Sequence, residues 1–87
     1  MSTCEARQIL AIEDDPILGP HLKSSLEHRG FHVTLAGDGP TGLTLASEAT
    51  YDLILLDVML PELSGMELLT RLREQRRTPV LMMSALG

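Results

Sequence analysis

Ile9-Leu10-Ala11-Ile12-Glu13-Asp14 and Leu53-Ile54-Leu55-Leu56-Asp57 decide the fold of this chain. Each is a short, unbroken apolar run that ends on acid. Runs of this length without alternation fit strands buried on both faces of a parallel sheet. In open α/β sheets the carboxyl ends of such strands form the ligand crevice. Carboxylates gathered there repel one another, which favours a bound divalent cation or a raised pKa.

The segments around these runs give the rest of the order. Asp15 and Pro16 open a helix, as N-cap and first helical residue, carrying Ile17, Leu18, Leu22 and Leu26 inward and closing at Gly30. Pro20 falls one turn in, where it deletes a backbone bond and should disturb that turn. Phe31 to Ala36 reads as a second strand, and Gly37-Asp38-Gly39-Pro40 as a turn leading into a second helix. Tyr51 to Leu56 is the third strand. Ser64 caps a third helix running to about Gln75, with Met66, Leu68, Leu69 and Leu72 inward. Thr78-Pro79 restarts the chain as a fourth strand ending at Ser84. The alternation β-α-β-α-β-α-β with short connections predicts an α/β, doubly wound parallel sheet. Residues 1–7 read as an N-terminal tail and 8–87 as the domain.

Eighty-seven residues allow one domain. A net charge of −5 argues against a non-specific nucleic-acid surface, so no direct nucleic-acid contact is expected. Arg71, Arg73, Arg76 and Arg77 gather where a helix ends, and read as a solvated C-terminus. A single cysteine, Cys4, precludes an internal disulfide and fits a reducing compartment. With no secretory signal and no apolar run long enough to span a bilayer, the expectation is a cytoplasmic location and no membrane contact. His21, His28 and His32 lack a metal-ligand pattern and are expected to face solvent.

Right-handed crossovers can place the third strand beside the first, so that Glu13, Asp14 and Asp57 converge at one switch point. One or two carboxylates, a backbone carbonyl and several waters describe a Mg²⁺ site. The Met59 carbonyl, two residues beyond Asp57, would face that crevice, and Ser84 would offer a hydroxyl from the adjacent strand.

Ile9 to Pro16, Tyr51 to Pro61, Ser64-Gly65 and Thr78 to Ala85 together resemble the receiver domain of bacterial two-component response regulators, most closely those of winged-helix transcription factors. The resemblance implies the flavodoxin-like strand order 2-1-3-4-5. It implies that Asp57 accepts a phosphoryl group from a sensor histidine kinase, that Glu13, Asp14, Asp57 and the Met59 carbonyl hold Mg²⁺, and that Ser84 hydrogen-bonds a phosphoryl oxygen. Such a domain signals to an attached effector and is not a multiple-turnover enzyme. Mg²⁺-dependent gain and loss of its own phosphoryl group is the most it catalyses.

The family continues with a fourth helix, a lysine-bearing fifth strand and a fifth helix. Against that pattern this chain reads as truncated after its fourth strand, and its only lysine, Lys23, lies in the first helix. An uncovered fourth strand, Val80 to Met83, would be an apolar edge inviting self-association. Two rival readings follow. An aspartyl-nucleophile phosphatase or mutase expects a second aspartate two residues after the first, and Met59 stands there. A phosphorylation-independent interaction module would keep the fold without the chemistry.

Overall fold

A computed structural model describes residues 7–58, 60 and 63–83. In chain order the elements are β1 (Gln8–Ile12), α1 (Leu18–His28), β2 (His32–Ala36), α2 (Gly39–Glu48), β3 (Leu53–Asp57), α3 (Gly65–Arg73) and β4 (Val80–Met83). The four strands form one parallel sheet in the order β2-β1-β3-β4. The chain therefore reverses its direction of sheet growth between β1 and β3. That reversal is the switch point expected from the acids.

The two apolar runs are buried on both faces, and period-two geometry divides their residues between two cores. Leu10, Ile12, Ile54 and Leu56 belong to a cluster with Leu68 and Leu72 of α3 and Ala46 of α2. Ile9, Ala11, Val33 and Leu55 form the other, covered by Leu22 and Leu26 of α1. The fold is thus doubly wound. Fully burying each of the larger side chains contributes on the order of 1.5–3 kcal/mol.

Local chemistry sets the helix ends. Asp38 accepts from the Thr41 N–H at 2.7 Å and Ser64 from the Glu67 N–H at 3.1 Å, capping α2 and α3. Gly30 closes α1 with φ of 96°, a left-handed conformation that a side chain would strain.

The start of α1 departs from the expected one. Asp15 does act at the helix entry, but its carboxylate accepts from both Ile17 and Leu18 N–H groups and winds a turn first, so α1 begins at Leu18. Pro20 has no N–H to give the Pro16 carbonyl, so the Gly19-to-Asp15 and His21-to-Ile17 backbone bonds flank a gap, and the first turn is disturbed without being broken, as expected. The same shift turns Ile17 outward, 80% exposed, with Leu18 at 41%. Met66, also expected inward, is 60% exposed, because α3 presents Leu68 and Leu72 to the sheet.

The arginines at and after the end of α3 do more than solvate a helix end. Arg73 Nη1 donates to the carbonyls of Arg76 and Thr78, and Arg76 Nη2 donates to the Ser47 carbonyl at 2.9 Å. Together they tie the connection before β4 to itself and to α2.

Candidate metal and phosphoryl site

The β1–β3 register pairs Ile12 with Leu56, so Glu13 and Asp57, one residue further on, come side by side at the carboxyl edge of the sheet. The Glu13 N–H donates to the Ala36 carbonyl at 3.0 Å, holding that residue in line with β2 as well. Glu13 and Asp57 are buried, at 4% and 5% exposure, while Asp14 faces solvent. One carboxylate oxygen from each of Glu13, Asp14 and Asp57 lies within 4.8 Å of the others. The three acids expected to converge do so.

Crowding of negative charge has a visible cost. Burial, a hydrogen bond with Asp57, and the charges of Asp57 and Asp14 push Glu13 up to about 7, against weak opposition from the Asp14 backbone N–H. Glu13 Oε2 is buried and accepts no hydrogen bond among the described residues. A buried carboxylate oxygen without a donor is costly unless something positive meets it. An all-oxygen set open to solvent on the Asp14 side suits a hard divalent cation that keeps several waters. The residues present therefore fit Mg²⁺.

β4 forms the next wall. Asp57 pairs with Met83, and the Val58 N–H donates to the Met83 carbonyl at 2.9 Å. Ser84 follows Met83 in sequence, and it lies outside the described residues, as does Met59. Their expected roles as hydroxyl donor and carbonyl ligand rest on the sequence. Asp15 serves the helix start, and its two backbone hydrogen bonds hold its carboxyl below the usual carboxylate range. His21, His28 and His32 are exposed, as expected.

Gly65, which the sequence marks as a structural glycine allowing tight helix packing or a turn, seats α3 closely against the acid-bearing strand. The Gly65 N–H donates to the Val58 carbonyl at 3.0 Å. A Cβ at Gly65 would stand 2.7 Å from the Asp57 carbonyl oxygen and 2.9 Å from Val58 Cα.

Comparison with known proteins agrees with this geometry. Residues 9–87 match the response regulator receiver domain family. The chain is 50% identical over 80 residues to the transcriptional activator protein PfeR of Pseudomonas aeruginosa, a match covering 92% of this chain and 26% of the activator. The chain thus spans about a quarter of that relative. Among solved structures it superposes on the receiver domain of the Francisella response regulator 1452 with a TM-score of 0.87 at 38% identity, covering 93% of this chain and 68% of that one. It also resembles the receiver domain of sensor histidine kinase PA1611 from Pseudomonas aeruginosa, with a TM-score of 0.89 at 33% identity, covering 93% and 69%. That structure is described with a magnesium ion coordinated in its active site cleft.

Proposed function

The chain belongs to the response regulator receiver domain family, and from that premise we propose that Asp57 is the phosphoacceptor of a two-component signalling protein. The observation that carries the reading is the buried Asp57 carboxylate at the end of β3, within 4.8 Å of the Glu13 and Asp14 carboxylates. The donor is a phosphohistidine on a sensor histidine kinase. A carboxylate oxygen of Asp57 bonds to phosphorus as the phosphorus–nitrogen bond breaks, and the departing imidazole nitrogen takes up a proton.

Attack by one anion on another is opposed by charge, so positioning and charge compensation do most of the work. Glu13, Asp14 and Asp57, with the Met59 carbonyl, would hold Mg²⁺, which when bound neutralises charge on the carboxylates and on the phosphoryl oxygens. The chain's own residues supply the frame. β1 and β3 fix the two buried carboxylates, α3 seats the backbone beneath Asp57, and Ser84 donates to a phosphoryl oxygen. Dispersing the product charge in this way makes a stored signal, not a turnover cycle. In this reading the chain is a cytoplasmic phosphoacceptor and not an enzyme. Its likeness to a transcriptional activator supports an attached effector that controls transcription.

Intact mass after incubation with Mg²⁺ and acetyl phosphate tests the proposal. One phosphoryl adduct is expected, absent without Mg²⁺ and absent in Asp57→Asn. No adduct on folded protein would overturn it.

A second reading has its own observation. β4 is one of the two edge strands among the described residues, and Leu81 on it is 56% exposed. An open apolar strand edge is a template for pairing, which supports self-association through β4.

A further inference from the structure

Gly65 is the first residue of α3, just after the Ser64 cap, and it is buried. Its backbone does not need glycine, because Gly30 is the glycine with positive φ. On helix propensity alone, alanine would be the better residue at this position. Space is what excludes it. The nearest atoms to an added Cβ are the Asp57 carbonyl oxygen at 2.7 Å, Val58 Cα at 2.9 Å and Met82 Cε at 3.2 Å. The first two are backbone atoms of the segment that carries the acceptor carboxylate, and backbone cannot yield by rotating a side chain. Gly42 offers a contrast: its nearest atoms, at 2.6 to 2.9 Å, all belong to the Ile12 side chain.

From this we propose that Gly65 is a positioning residue for the site, acting through Asp57; the inference rests on the phosphoacceptor reading of Asp57. The Asp57 backbone is held from three directions. Val58 N–H bonds to the Met83 carbonyl on the β4 side, and the β1 register fixes the opposite side. Gly65 closes the third, with its N–H on the Val58 carbonyl and no room for a Cβ beside the Asp57 carbonyl. A methyl group there pushes the Asp57–Val58 peptide away from α3 and carries the carboxylate with it. Metal coordination tolerates errors of only about 0.2 Å, so a small displacement is felt. The alternative relief, α3 lifting away from the sheet, would cost stability and leave the carboxylates in place. The two routes give different results.

The test compares the 87-residue chain with Gly65→Ala and Leu69→Ala, the second loosening α3 at a half-buried position with no clash at Asp57. Mg²⁺ alone is titrated by calorimetry, phosphoryl uptake from acetyl phosphate is followed by intact mass, and urea melts report stability. Gly65→Ala is expected to weaken Mg²⁺ binding about tenfold or more, as loss of residues that orient metal ligands does, and to slow uptake with it. Leu69→Ala is expected to lower the urea midpoint while keeping Mg²⁺ affinity. Equal loss of affinity in both variants, or unchanged affinity in Gly65→Ala, overturns the proposal. If Gly65→Ala unfolds, the titration is repeated in an osmolyte that restores the fold. Weak binding by the refolded variant then supports the role, and undiminished binding overturns it. A wild-type chain that takes up Mg²⁺ but no phosphoryl group sinks the phosphoacceptor reading, while the Mg²⁺ comparison still decides whether Gly65 positions Asp57.

Discussion

Glu13 and Asp57 share a hydrogen bond between two buried carboxyl groups at the ends of directly paired strands. Burial, that hydrogen bond and the neighbouring charges of Asp57 and Asp14 push Glu13 up from 4.5 to about 7.

The stability of the metal-free chain should therefore fall as pH rises from 4.5 to about 7 and level off above. Glu13 binds its proton more tightly folded than unfolded, so its contribution is complete below the unfolded value and lost through the folded one. The size is on the order of 3 kcal/mol for a shift of this extent. Asp15 and Asp38 act in the opposite sense, held below 3.8 by backbone hydrogen bonds, and their contributions disappear only at lower pH. Urea melts across pH in a chelator check this. Glu13→Gln keeps a hydrogen-bonding side chain without the titration, and its profile should be flat over the same window.

Asp57→Asn should change sign with metal. Without Mg²⁺ it removes a charge beside Glu13 and should raise stability at pH 8 by about 1 kcal/mol. With Mg²⁺ at a hundredfold over its Kd the wild-type chain gains about 2.7 kcal/mol by mass action. The variant gains much less, so the order of stability reverses. Paired melts with Mg²⁺ and with chelator measure both halves. A variant less stable than wild type under both conditions would show that the acids do not repel.

What the sequence made legible here follows from periodicity and local chemistry. Unbroken runs ending on Glu13, Asp14 and Asp57 announce parallel strands and one crevice, because β-α-β connections leave few alternatives. Asp38 and Ser64 announce helix starts through the spacing of their capping bonds. The misreadings have a common cause. Ile17, Leu18 and Met66 are apolar residues in the first or entry turns of helices, where the direction of the axis decides burial, and only the tertiary fold sets that axis. Gly65 against Asp57 and Arg76 on Ser47 join positions eight and 29 residues apart, brought together by the tertiary fold. No local pattern encodes such contacts.

Arg76→Ala should destabilise the chain by about 1 kcal/mol, the net worth of a side-chain hydrogen bond to a carbonyl. The bond from its Nη2 to the Ser47 carbonyl spans 29 residues and links α2 to the turn that launches β4. Arg71 is the comparison. Its ion pair with Glu67 is 3.0 Å long but more than half exposed on both sides, and Arg71→Ala should change stability by less than about 0.5 kcal/mol. Chemical denaturation of the two variants distinguishes them, and equal losses would mean that the Ser47 contact is idle.

Self-association, if it proceeds through β4, should be concentration-dependent and sensitive to Leu81. Leu81 is 56% exposed on the edge strand β4, with half-buried Val80 and Met82 on either side. Strand pairing there would satisfy edge backbone groups and bury the leucine at once. Leu81→Lys keeps the backbone donors but puts a charge on the edge, the device natural sheets use against pairing. Sedimentation velocity over a hundredfold range of concentration should show the wild-type chain shifting to larger species and the variant remaining monomeric. The mechanism also predicts that Met66→Lys, equally exposed but on α3, leaves association unchanged. If Met66→Lys abolishes association and Leu81→Lys does not, the contact is a helix face, and the β4 edge plays no part.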